Sequence, residues 1–178
     1  MKFLILIVLL CASLYSGLAE LVKFHQNAYK ESLNTWKSLK LKNYDYTVVL
    51  FREENVGRTT IKVRNGKVVR RTYIETKLFY YPGDYEEFWD EKTPEEVGSH
   101  EGEFPYYDIV PAVTLDEVYT FCQNEILTQD LMPEDLEESK AVFEMLKGGI
   151  ISKCAFYPPL CYGCSTFVFI ENVKKRCE

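Results

Sequence analysis

Ile61-Lys62-Val63-Arg64-Asn65-Gly66-Lys67-Val68-Val69 is the stretch on which the fold turns. Two runs that mix β-branched and cationic side chains flank an Asn-Gly pair. Asn-Gly accepts the two positive φ angles of a type I′ turn, whose twist matches that of the strands on either side. A hairpin is expected here, with Val69 to Thr76 carrying its second strand onward. Upstream, Tyr44, Tyr46, Val48 and Leu50 alternate with Asp45, Thr47, Val49 and Phe51 in a β-branched and aromatic run that reads as another strand. Gly57, in a polar stretch, separates it from the hairpin. Three antiparallel strands follow one another.

Before these strands, Leu21, Phe24, Ala28, Tyr29, Ser32, Leu33, Trp36 and Leu39 recur at three- and four-residue steps, which predicts an amphipathic helix from Leu21 to Leu39. After them, residues 81–111 hold Pro82, Gly83, Pro94, Gly98, Gly102, Pro105 and Pro111 among many acids, and a long irregular acidic loop is expected. Thr114-Leu115-Asp116-Glu117 forms a capping box, since a threonine hydroxyl and a glutamate three residues on satisfy the free amides of a helix start. Leu115, Val118, Tyr119, Cys122 and Ile126 then share one helix face. Met132-Pro133-Glu134 opens a further helical stretch with Leu136, Val142, Phe143 and Leu146 apolar and Gly148-Gly149 as its stop. Strands are expected near Ile150 to Phe156 and Thr166 to Asn172, joined by a Cys/Pro/Gly-rich turn. The class is α+β: an N-terminal helix on an antiparallel sheet of about five strands, with a helical insertion and a disulfide-stapled C-terminal hairpin.

The chain opens on Lys2 and an apolar run from Phe3 to Ala12, which reads as the core of a cleavable signal peptide. The run is shorter than the ~20 residues a membrane-spanning helix needs. Gly17 and Ala19 at the −3 and −1 positions set the expected cut between Ala19 and Glu20, giving residues 1–19 as signal and 20–178 as a single secreted domain. No lipid-anchor pattern follows, and no later stretch suits a membrane, so a secreted, extracellular protein is expected. Aromatic residues make up 15% of the chain, which excludes a disordered, low-complexity polymer.

Cysteine usage follows from export. Cys11 leaves with the signal, and Cys122, Cys154, Cys161, Cys164 and Cys177 remain as disulfide candidates with the connectivity open. The odd cysteine allows a disulfide-linked dimer. Cys161-x-x-Cys164 precedes a strand-like run instead of opening a helix, against a thioredoxin-like motif, and irregular spacing argues against zinc. A Cys/His catalytic pair would need a reduced thiol beside His25 or His100 in an oxidising compartment.

Charge is unevenly placed. From Glu20 to Lys77 there are thirteen Lys/Arg and six Asp/Glu, whereas from Asp84 to Glu144 there are two and nineteen. The net charge of −6 argues against nucleic acid as the main ligand. Asp84, Glu86, Glu87, Asp90 and Glu91 offer carboxylate oxygens of the kind calcium takes, but without the ordered loop of a high-affinity site, so weak binding and no resident cofactor are expected. A glycosidase pair drawn from Glu86, Glu87, Asp90 and Glu91 would need a rigid, partly desolvated cleft. Tyr80, Tyr81, Tyr85, Tyr106 and Tyr107 flank the acids as packing groups or as an interaction surface.

Several of these motifs, taken in order, resemble a family of mostly bacterial exported proteins known only as a domain of unknown function. They are Trp36, Asn43-Tyr44-Asp45-Tyr46, the hairpin 61–69, Thr114 to Tyr119, and Ala155-Phe156-Tyr157-Pro158 through Tyr162-Gly163 to Phe167-Val168-Phe169-Ile170. The chain departs from that family at Pro158, where an aspartate is usual, and at Cys164, where a proline is usual; the acidic loop and the stretch from Pro133 to Gly148 look like insertions. The resemblance implies one helix against an antiparallel sheet and transfers no catalytic residue.

The functional expectation is a secreted, non-enzymatic extracellular or biomineral matrix component whose acidic surface binds calcium weakly and meets a protein or mineral partner. A cystatin-like binding or inhibitor module, lacking the Gln-x-Val-x-Gly wedge, and a small secreted hydrolase are the alternatives.

Overall fold

The computed structural model describes residues 25–51, 55–77, 85–99, 110–127, 140–157 and 166–176. The expected signal segment with its Ala19/Glu20 cut lies outside them, as do Asp84, His100, Cys161, Cys164 and Cys177. Among the described residues no helix is long and apolar enough to cross a membrane.

Helix α1 spans 25–39. It leads into β1 (Tyr44–Phe51), β2 (Asn55–Arg64), β3 (Lys67–Lys77) and β4 (Tyr85–Glu91). Helix α2 (Leu115–Phe121) runs on into a π-helical turn (Cys122–Leu127), and β5 (Lys140–Met145), β6 (Ile151–Tyr157) and β7 (Thr166–Lys175) complete the fold. All neighbouring strands pair antiparallel, in the order β4-β3-β2-β1-β7-β6-β5. The second meander thus returns to lay β7 along β1, making β1 the centre of the sheet.

Asn65 and Gly66, at φ 52° and 74°, form the expected turn between β2 and β3. The Asn43 side chain accepts the Asn65 amide at 2.8 Å, tying the turn to the start of β1. On the helix-covered face of the sheet, Tyr44, Tyr46 and Val48 of β1 and Ile61 and Val63 of β2 pack in one core with Tyr29 and Trp36 of α1 and Leu115, Val118 and Tyr119 of α2.

That core is unusually phenolic, and every hydroxyl is used. Tyr29 donates to the Tyr119 carbonyl at 3.0 Å, the Leu115 amide donates to the Tyr44 hydroxyl at 3.0 Å, and the Ile151 amide donates to the Tyr119 hydroxyl at 2.9 Å. Tyr46 donates to the Val113 carbonyl. These bonds bind helix to helix and helix to sheet. Burial pushes the Tyr44 phenol up to about 12, against the pull of its bond from Leu115, and raises Tyr46 well above its ordinary value. The capping box at Thr114 and Glu117 forms as expected.

Three expectations are corrected. The sheet has seven strands, not about five. Part of the expected acidic loop is β4, whose Asp90 and Glu91 are matched by Arg70 and Arg71 on β3. Within the expected Pro133 to Gly148 helix, Lys140–Met145 is instead β5: Phe143 faces the core opposite Cys154, while Gly148 and Gly149, with φ of 128° and 78°, turn the chain into β6. Pairing with β6 overrides a weak helical spacing, and the glycines serve a hairpin as readily as a helix end.

Cys122 and Cys154 are joined, with Cα atoms 6.0 Å apart. The bond clamps the π-helical turn to the central strand of the second meander; the further cysteines of the expected C-terminal staple, Cys161, Cys164 and Cys177, lie outside the described residues. It closes a loop across 32 residues of sequence. Replacing both cysteines by serine is expected to lower stability by about 2–4 kcal/mol, read from the shift of the urea unfolding midpoint; an unchanged midpoint would show the clamp to be idle.

Candidate functional site

The sheet carries two polar assemblies, one on each face. The first lies on the helix-covered side, where β3 and β4 extend beyond the apolar core. Register sets Arg71 opposite Glu91 and Tyr73 opposite Trp89. The Arg71 guanidinium donates from Nε and Nη2 to the two Glu91 oxygens at 2.8 and 2.7 Å, and neither side chain has exposed surface. A third nitrogen donates to the Val110 carbonyl at 3.0 Å. The Trp89 ring lies 5.0 Å from the guanidinium and stacks on Tyr73 at 5.4 Å. Glu91 also accepts the Gly98 amide at 3.0 Å. Alongside, Glu75 accepts from the Tyr73 hydroxyl and from the Asn55 amide, both at 2.6 Å.

Chemically this is a framework. A buried charge survives only when paired and hydrogen-bonded, and here two donors of Arg71 are spent on one carboxylate and a third on a backbone oxygen. Its bidentate geometry fixes the β3–β4 register, because slipping by one residue would expose the pair and separate it.

The second assembly is on the opposite face. Asp45 there accepts from Arg64 at 2.8 Å and from Arg176 at 2.7 Å, joining the hairpin and the end of β7 through one carboxylate. Burial pushes the Asp45 carboxyl up, but the two guanidinium hydrogen bonds outweigh it and hold the acid below its ordinary range. Arg70 donates to Asp90 at 2.9 Å through Nε and through a second nitrogen, and Thr72 donates to the same carboxylate at 3.1 Å. The Arg70 bonds hold Asp90 below its ordinary range, offset in part by burial.

The residues singled out from sequence separate accordingly. Asp90 and Glu91 are taken up by Arg70 and Arg71 on opposite faces of the sheet. Glu87 pairs by backbone with Glu75, and Glu86 lies beside it in β4. Among the described residues no group of three or more metal-ligating side chains comes together. Cys122 and Cys154 have no thiolate role, being bonded to each other, and His25 opens the described part of α1. The arginines were overlooked in the sequence, although the adjacent Arg70-Arg71 followed twenty residues later by Asp90-Glu91 is a legible sign of complementary strands.

Comparison of the chain with protein-family models, with curated proteins and with solved structures finds no match.

Two outcomes test the assemblies. Glu91→Ala leaves a buried guanidinium without its counter-ion and is expected to cost about 3–5 kcal/mol, while the double change Arg71→Met with Glu91→Leu costs less than Glu91→Ala alone; chemical denaturation of both variants measures the difference. Asp45 and Asp90, depressed in the folded state, contribute stability that is complete above the unfolded aspartate value of about 3.9 and is lost as pH falls through their lower folded values. An Asp45→Asn, Asp90→Asn variant should therefore be less stable than the parent at neutral pH but lose less on acidification below about pH 4, followed by thermal unfolding across pH.

Proposed function

We propose that this protein is a secreted, non-enzymatic binding module of the extracellular space, built to present one rigid sheet face to a partner. The single observation that carries the reading is the one-sided construction. Helices α1 and α2 share their core with one face of β1 and β2, and the opposite face keeps its arginines solvent-exposed, with Arg58 at 42% and Arg176 at 50%. Arg71, Glu91 and Glu75 on the helix side are spent on each other and on their neighbours, which stiffens the sheet without assembling a nucleophile and base.

The expected signal peptide and the disulfide are consistent with this reading, since such bonds persist in oxidising compartments. The likeness in motif order to exported proteins of unknown function points the same way. Weak calcium binding, in this reading, falls to Asp84, Glu86 and Glu87, because Asp90 and Glu91 hold arginines.

Expression of the full chain in a secreting host tests both parts. The protein is expected in the medium with Glu20 as its first residue, established by N-terminal sequencing. Calorimetry is expected to show calcium binding only near the millimolar range typical of extracellular modules, and to lose it on neutralising Asp84, Glu86 and Glu87 together. Retention of the whole chain inside the cell would sink the secreted reading.

A further inference from the structure

Strand register gathers charges of the cation-rich first half of the sequence on one face of the sheet. Lys174 of β7, Asp45 of β1, Lys62 of β2 and Arg70 of β3 stand side by side across the sheet on the face opposite the helices. With strands about 4.8 Å apart, this row is roughly 14 Å wide. Arg58, Arg64 and Arg176 flank it, with side chains 42%, 33% and 50% exposed. Six cations in and beside this row, Arg58, Lys62, Arg64, Arg70, Lys174 and Arg176, meet three carboxylates, Asp45, Asp90 and Glu171. This patch is net positive on a chain of net charge −6.

The acids do not consume the charge. Arg64 and Arg176 share Asp45, Arg70 holds Asp90 and Arg58 holds Glu171 at 3.5 Å, whereas Lys62 and Lys174 make no ion pair among the described residues. Two residues along the strands, on the same face, a second row of Asn172, Thr47, Thr60 and Thr72 carries hydroxyl and amide groups and meets the Asp90 carboxylate at its β4 end. A row of cations beside a row of hydroxyl and amide groups, held in register by strand pairing, matches a polymer that alternates anionic groups with neutral hydroxyls.

We infer that this face docks a sulfated polysaccharide, the anionic groups lying along Lys174, Lys62 and Arg70 and the sugar hydroxyls along Asn172, Thr60 and Thr72. The inference rests on the binding-module reading and supplies its partner. A polyphosphate suits the face less well: base stacking wants aromatic platforms interleaved with the cations, and neither row carries an aromatic residue. The strongly acidic remainder of the chain also opposes non-specific attraction to a phosphate backbone.

Heparin is the probe, titrated by calorimetry into the mature protein at about 50 mM salt and then at rising salt. Three proteins are compared: the parent, Lys62→Gln with Lys174→Gln, and Lys30→Gln with Lys37→Gln, which makes the same change in net charge on the exposed side of α1. Thermal unfolding establishes that all three are folded, and the single changes Lys62→Gln and Lys174→Gln stand in if the double variant is not. The parent is expected to bind. The sheet-face variant should lose affinity by about tenfold or more, with the slope of log affinity against log salt reduced by about two, while the helix variant stays within about threefold of the parent.

No heparin binding by the folded parent overturns the inference, as does equal weakening by both double variants. Tighter binding to single-stranded RNA or to anionic vesicles than to heparin, lost in the same sheet-face variant, overturns the choice of partner. Export of the chain is scored separately by its appearance in the medium, so a failed heparin titration leaves the secreted-module reading standing, and a retained chain sinks that reading whatever heparin does.

Discussion

Arg71 and Glu91 meet with both side chains withdrawn from solvent, and the geometry of one edge of the sheet follows from keeping them together. Each alone is a buried charge that the fold could not tolerate; together, with the Val110 carbonyl and the Gly98 amide taking up further hydrogen-bonding capacity, they hold β3 and β4 at one register. Val110 lies just before α2, so the same guanidinium also anchors the approach to the helix layer. Trp89 and Tyr73 shield the pair from above, and Glu75 extends the network to Asn55 at the start of β2. The edge strand is thereby fixed by charge where apolar packing alone would leave it free to slide.

The register so fixed has a consequence on the far face. Side chains alternate along a strand, so locking Arg71 inward sends Arg70 outward, beside Lys62, and sends Asp90 outward to meet it. Asp45 acts as a second fixed point, gathering Arg64 from the hairpin and Arg176 from beyond β7. The outward charges are thus held in rows by strand pairing, which distinguishes them from cations scattered over a surface and gives the face a definite pattern.

Legibility in the sequence divided along the range of the interactions. The Asn65-Gly66 hairpin and the Thr114 capping box were readable because each is decided by residues within a few positions of one another. Helix α1 was readable from its spacing, with Tyr29 and Trp36 buried as expected. By contrast, β4 looked like a solvated loop because Asp90 and Glu91 were viewed without the arginines that neutralise them. The apolar spacing of Val142, Phe143 and Leu146 suited a helix and a strand about equally, and only β6 alongside decides for the strand. Disulfide pairing was left open for the same reason: Cys122 and Cys154 are close only once α2 has packed on the sheet.

What the sequence alone determined was the class of the fold, its first helix and central hairpin, the aromatic weight of its core and the separation of basic from acidic halves. Local geometry and side-chain periodicity suffice for these. What the tertiary structure decided was that the basic and acidic halves are partly neighbouring strands, that one arginine of an adjacent pair is buried while the other is displayed, and which face of β1 and β2 shares a core with the helices. Strand order and register settle these points, and both arise from contacts between residues distant in the chain, which no local pattern encodes.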